Sequence, residues 1–318
     1  MKEEIKDILS AQAERGGGSV LYDELLSRHS TIAIGGTAAV WYAPSCPEEL
    51  SEISKSLREH GARVIAIGNG SNTLMPGEGL DAVMVSLAGD YFNHAAYDEL
   101  GQVTVGAGKK LSSFISDCSS MGLSGMEGLA GIPGTVGGAL FVNAGYKSVI
   151  SDRLLRVKII DVLGRIRKVE KDDIIFGYRE ASFDRNAIII EAAFHLDKAP
   201  PGDIRKRMES FFLEKMRVQP LEQKTLGCVF KNPPAGGESG ARLIEMAGMK
   251  KRRVGGAVVS EKHANFIVND GGATSGDVKE LIRVVRDGVK EKFGVELELE
   301  IEILTGEGYV GERFPRPS

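Results

Sequence analysis

Residues 122–145, GLSGMEGLAGIPGTVGGALFVNAG, hold eight glycines in 24 residues, and from Gly128 onward the run carries no charge. An uncharged glycine run of this length does not sit in water as an ordinary loop. Its backbone is either packed in a glycine-lined core crossing or turned toward a ligand that needs close approach of main-chain atoms. The whole chain leans the same way, with 40 glycines in 318 residues. Over the chain as a whole they keep no single short period, and the 11 prolines are too few for a collagen-like or low-complexity chain.

Composition bounds the rest. Hydrophobic residues make up 42% and charged residues 26%, the balance of a folded chain. The formal net charge of −4 argues against a general nucleic-acid binder, which needs a basic face. Cys46, Cys118 and Cys228 show no CxxC spacing, and five scattered histidines show no HExxH, so neither a disulfide framework nor a metal site is expected. The first residues, MKEEIKDILSAQAERGGG, read as a charged helix without the apolar core of a signal peptide. No run of apolar residues is long enough to cross a membrane, and a cytoplasmic location is expected.

Along the chain, short strands are predicted at 31–36, 39–44, 62–68, 81–87, 103–108, 157–162 and 188–196, with helices at 47–60 and 109–121. The segment Lys198–Gly202, KAPPG, reads as a linker, followed by a charged helix from Ile204 to Arg217 and a short one from Ala241 to Ala247. Val278, Leu281, Ile282, Val285 and Val289 mark an amphipathic helix that Gly294 ends. VELELEIEI (295–303) alternates strictly and predicts a strand with one apolar and one glutamate face. The expected organisation is an N-terminal helix (1–20), two subdomains (21–95 and 96–200) and a C-terminal domain (201–318).

A P-loop fails at Gly108-Lys109, which Lys110 follows and where Val103 stands in place of the first glycine, and GNGSN (68–72), though it follows a buried strand, is no Rossmann fingerprint, since Thr73 replaces the third glycine. It is a tight turn or an anion nest. Paired with the loop near 135, it suits a long cofactor with a diphosphate in its middle, as in a flavin dinucleotide. Arg179, among the aromatics of FGYREASF (176–183), is either a carboxylate clamp or one half of a surface pair with Glu180. Cys228 by itself reads as a small buried hydrophobe, Lys231 and Asn232 as a solvated turn, and the glutamates of 296–302 as a solvated strand face.

Taken together, TIAIGGTA (31–38), IGNGSNTL (67–74), the glycine run 122–145, FGYREASF, LGCVFKNP (226–233), residues 239–269 and FGVELELEIEI (293–303) resemble, in order, the UDP-N-acetylenolpyruvoylglucosamine reductase family of peptidoglycan precursor synthesis, in its shorter type II form. The resemblance implies an α+β fold of the p-cresol methylhydroxylase or vanillyl-alcohol oxidase type, with a C-terminal α+β substrate domain. It implies non-covalent FAD held by Gly68, Asn69, Gly70, Ser71, Asn72, Gly131, Ile132, Pro133, Gly134, Thr135, Gly138, Asn143, Ala144 and Gly145, with NADPH as co-substrate. The substrate would be UDP-N-acetylglucosamine enolpyruvate, met at its diphosphate by Lys231 and Asn232, with Tyr178 also at the substrate. Arg179 and Glu300 would stabilise charge at the enolpyruvyl carboxylate, and Cys228 would protonate C2.

Two departures stand out. Cys228 occupies a position where serine is commoner; a thiol of ordinary pKa near ~8.5 is a workable acid and also an oxidisable one. Tyr146-Lys147-Ser148 follows Gly145 in place of a smaller segment, which alters the loop rim. Two rival readings remain, a flavin oxidase of the same fold and a non-catalytic UDP-sugar or flavin binder. The absence of histidine from GNGSN speaks against an oxidase with a covalent flavin, and the presence of Arg179 and Glu300 against the inert binder.

Overall fold

Strands Ser19–Leu25, Thr37–Ala43, Leu80–Ser86 and Val64–Ile67 lie side by side in that order, the first pair antiparallel and the others parallel. They belong to a computed structural model that describes residues 3–234 and 237–310. Helix Pro47–Glu59 crosses between parallel strands, as such connections require. The N-terminal helix Glu3–Gly16 docks on this unit, burying Ile5 and Leu9 in one cluster with Leu50, Val40 and Tyr42.

A second, antiparallel sheet runs Ile166–Glu170, Leu154–Ile160, Ile188–His195, Gln102–Gly106, Ala95–Tyr97. Helix Leu111–Ser120 buries Leu111, Phe114 and Ile115 in the core beside it. Seven of the eight residues of the central strand Ile188–His195 are buried, which accounts for an apolar run broken only by Glu191 before the exposed His195.

The third unit is a four-stranded antiparallel sheet, Thr225–Cys228, Phe266–Asn269, Ala257–Val259, Arg253–Val254. Helix Ser275–Phe293 covers it. Thr274 Oγ1 accepts from the Asp277 N–H at 3.0 Å while Asp277 Oδ2 accepts from the Thr274 N–H at 2.9 Å, a reciprocal cap, and Gly294 at φ +68° closes the other end. All five apolar positions read from the sequence are buried.

Two predicted strands are corrected. Residues 31–36 form no strand, because Ala33 at φ +55° breaks the extended path and the segment's polar groups bond across the molecule. Thr31 Oγ1 donates to the Thr225 carbonyl at 2.6 Å, and Asn269 Nδ2 donates to the Ile32 carbonyl at 2.9 Å. Ile32 and Ile34 are thereby plugged into the C-terminal core.

Residues 295–301 are likewise extended without a ladder, apart from one bridge between Leu299 and Phe230. A regular strand begins only at Glu302. It runs to Thr305 and pairs in parallel with Thr73–Leu74, so this strand returns to the N-terminal unit. The expected glutamate face holds at Glu296 and Glu298, which are exposed, and reverses at Glu300 and Glu302, which turn inward.

Candidate active site

Strand Val64–Ile67 delivers the chain into Gly68–Asn72, where Gly70 adopts φ +56° and a Cβ would stand 2.1 Å from the His29 carbonyl oxygen. Only glycine fits there. The backbone N–H groups of Asn69, Gly70 and Ser71 donate to nothing among the described residues. Facing them, residues 131–135 lead into the short helix Val136–Phe141, which Thr135 caps by accepting from the Gly138 N–H at 3.3 Å. The two loops touch. Ser71 Oγ donates to the Pro133 carbonyl at 3.3 Å, and a Cβ on Gly68 would come within 2.7 Å of Thr135 Oγ1. Between them and the C-terminal sheet opens a cleft of about 800 Å³.

At the far end of this cleft the hairpin Phe176–Gly177/Glu180–Ala181 carries Tyr178 and Arg179 at its tip. Arg179 is held at φ +62°, with its guanidinium 5.4 Å over the Tyr178 ring. Its Nε lies 2.8 Å from Glu300 Oε1, so Arg179 pairs across the domains and not with its neighbour Glu180, which faces Lys231 at 3.8 Å. Glu300 is brought there by its own N–H, which donates to the Val229 carbonyl at 2.8 Å, one residue past Cys228.

Cys228 ends its strand on the cleft wall. Burial, with the Glu300 carboxylate second, pushes its thiol up to about 12, against the opposing charges of Arg179 and Lys215. That is above the ordinary thiol value named from sequence, so the group holds its proton at neutral pH.

Lys215 was not legible in the sequence. Helix Pro201–Val218 exposes Phe212, Leu213, Met216 and Val218 yet buries this lysine to 6% exposure. Its Nζ donates to the Gly131 carbonyl at 2.9 Å and stands 5.5 Å from the Tyr146 ring centroid, with no carboxylate within ion-pair distance among the described residues. Desolvation lowers its pKa to about 8. The cleft also gathers the stacked rings of His29 and Trp41, 3.7 Å apart, and the pair Arg185–Glu302 at 2.9 Å.

Of the residues named from sequence, 68–72, 132–135, 138, 144 and 145 line the cleft with Arg179, Cys228 and Glu300. Five do not. Gly131 lies behind the loop against the Phe212 ring and the Lys215 stem. Asn143 is 5% exposed with its side chain engaged elsewhere. Tyr178, Lys231 and Asn232 cluster on the outer side of the hairpin, where Asn232 Nδ2 donates to Tyr178 Oη at 3.3 Å. Among the described residues no cluster of three or more His, Cys, Asp or Glu side chains is placed to hold a metal, and no helix is long and apolar enough to cross a membrane.

Known proteins align with both halves of this architecture. Residues 38–170 match the family model of an FAD binding domain, and residues 219–304 that of the UDP-N-acetylenolpyruvoylglucosamine reductase C-terminal domain. The UDP-N-acetylenolpyruvoylglucosamine reductase of Bacillus licheniformis is 39% identical over 290 residues, covering 90% of this chain and 94% of the relative. That of Moorella thermoacetica is 40% identical over 290 residues, covering 91% and 94%. The crystal structure of the Thermus caldophilus enzyme superposes with a TM-score of 0.76 at 36% identity, covering 90% of this chain and 98% of that one. With this agreement over nine-tenths of its length, the α+β chain belongs to the UDP-N-acetylenolpyruvoylglucosamine reductase family.

Proposed function

We propose that the protein reduces UDP-N-acetylglucosamine enolpyruvate to UDP-N-acetylmuramate, with FAD bound non-covalently and NADPH as the source of hydride. The observation that carries this reading is the meeting of Arg179, Glu300 and Cys228 at one end of a cleft whose other walls are two glycine loops. The loops suit a flavin dinucleotide, since unpaired N–H groups at 69–71 are donors for a diphosphate and a side chain at Gly68 or Gly134 would fill the gap. When bound, FAD supplies the hydride chemistry between NADPH and the enolpyruvyl C3.

The chain's own residues supply the rest. Arg179 keeps part of its guanidinium fork for the substrate carboxylate while Glu300 fixes the other side. Cys228 Sγ holds a proton that burial keeps in place at neutral pH, and gives it to C2 as negative charge builds there. The thiolate left behind is met by Lys215 and Arg179, the two cations acting on that sulfur. Lys231 and Asn232, outside the cleft lining, would meet the more distant diphosphate, with Tyr178 beside Asn232 also at the substrate.

The test is an anaerobic titration of the flavin-loaded protein. NADPH should bleach the flavin bands and the enolpyruvyl sugar should restore them. In Cys228→Ala the first step should persist and the second slow by about 10²–10⁴-fold, the usual contribution of a positioned acid. Recovery only on admitting oxygen would favour the oxidase reading, and a protein that takes up no FAD would favour the inert binder.

A further inference from the structure

The hairpin that carries Arg179 belongs to no larger sheet. It has two residue pairs, Phe176 with Ala181 and Gly177 with Glu180, and a tip residue in the left-handed region. A two-strand ribbon of this size does not hold itself in place in water. Its position comes from the segment that leaves the second glycine loop. Phe141, last residue of the short helix, stacks on Phe183 with ring centroids 6.3 Å apart, and Phe183 meets Phe176 edge-on at 6.2 Å.

Two residues later Asn143 supplies a side-chain hydrogen bond to the ribbon's backbone from outside it. Its Nδ2 donates to the Gly177 carbonyl at 2.9 Å, while its Oδ1 accepts from Ser151 Oγ at 2.8 Å. Asn143 adopts φ +45° and Ser151 is 5% exposed, so the amide is fixed by its own backbone and by a buried hydroxyl. Nδ2 keeps a second N–H and Oδ1 a second lone pair, but Asn143 is 5% exposed and does not line the cleft, so neither is turned to a ligand there.

We infer that Asn143 is a positioning residue for Arg179: it fixes the hairpin through the Gly177 carbonyl and contacts neither cofactor nor substrate. This assigns Asn143 differently from the sequence expectation, which set it among the FAD contacts. It rests on the reading of Arg179 as a substrate-facing group. The helix that closes the second glycine loop and the hairpin that presents the guanidinium are then tied through Asn143, two residues past that helix.

The discriminating variant is Asn143→Asp. Aspartate tolerates the left-handed backbone and still accepts from Ser151, but it sets an oxygen against the Gly177 carbonyl in place of a donor. In the flavin-loaded protein, amide hydrogen exchange over 176–181 should rise by about tenfold with exchange over 131–138 unchanged, as expected when one local tether is lost. Substrate-driven flavin reoxidation should slow by about tenfold, with FAD affinity within about twofold of the parent. In an Arg179→Ala background the same substitution should add less than about a twofold further loss, because the two act as one unit.

Unchanged hairpin exchange would overturn the assignment. So would a loss of FAD affinity matching the loss of turnover, which would make Asn143 a cofactor contact. Asn143→Gly, free of strain at this φ, repeats the exchange measurement should the aspartate variant not fold. If Arg179→Ala alone leaves turnover intact while Asn143→Asp still loosens the hairpin, the tether stands and the role given to Arg179 fails.

Discussion

Asn72 holds Glu300 in place from the opposite domain. Its side-chain Nδ2 donates to the Glu300 carbonyl at 3.2 Å, and its own carbonyl accepts from the Glu302 N–H at 2.8 Å. The residue that faces Arg179 is thus pinned by the first glycine loop at its carbonyl and by Val229 at its N–H, with Glu302 two residues on tied to the same loop. Loss of the amide in Asn72→Ala should cost about 1 kcal/mol of stability, a typical net value for one hydrogen bond. Turnover should fall further than that figure alone implies, because the Glu300 carboxylate loses its registration against Arg179. Thermal melts together with kcat on the same preparation check this; unaltered kcat would mean that the strand pairing at Glu302 suffices.

The raised pKa of Cys228 makes it a poor nucleophile despite its place on the cleft wall. The thiolate is the reactive form, so alkylation by iodoacetamide at pH 7–8 should be much slower than for a free cysteine, and should climb steadily with pH up to about 12. Glu300 contributes to that elevation. Glu300→Gln should therefore lower the thiol pKa and speed alkylation at fixed pH, which peptide mass spectrometry of the Cys228 site would follow. An alkylation rate in Glu300→Gln equal to or below the parent's would contradict the charge interaction.

Gly138 separates folding from cofactor binding. It lies in the short helix at an ordinary φ, and a Cβ there would meet only Thr135 Oγ1, at 3.4 Å, while pointing along the cleft wall. Gly138→Ala should leave the apoprotein as stable as the parent or about 0.5–1 kcal/mol more so, the usual gain for alanine in a helix. FAD affinity should drop, since the methyl occupies space meant for the ligand. Melting of the apoprotein beside a flavin titration gives both numbers, and unchanged affinity would place the flavin elsewhere in the cleft.

These sites differ in how much of them the sequence could disclose. Helix Ser275–Phe293 was legible because cap, apolar stripe and terminal glycine all agree locally. The glycine loops were legible because close backbone approach leaves a compositional trace. Ile32 and Ile34 misled because an apolar alternation says only that side chains are buried, and not that the backbone pairs with a neighbour. Glu300 and Glu302 misled for the complementary reason, since their partners Arg179 and Arg185 are remote in sequence. The ordered motifs of the family recovered Glu300, whereas local pattern alone assigned it to solvent.

Lys215 carries a pH signature that can be worked out with its sign. Its folded-state pKa of about 8 lies below the usual lysine value, so below pH 8 it is charged in both folded and unfolded chains and the native state bears the desolvation cost in full. Between about pH 8 and 10.4 the unfolded chain holds more protons, so this residue's contribution to stability rises with pH. At about 1.4 kcal/mol per pH unit, the cost near neutrality is roughly 3 kcal/mol. Lys215→Met removes it and gives up the bond to the Gly131 carbonyl, worth about 1 kcal/mol. The variant apoprotein should be more stable than the parent by about 2 kcal/mol at pH 7, and the difference should shrink and reverse as pH approaches 10, since the lost hydrogen bond outlasts the relieved desolvation. Urea unfolding at the two pH values reads it directly. A methionine variant that is less stable at pH 7 would show that the ammonium is compensated in the folded protein, and its desolvation already offset.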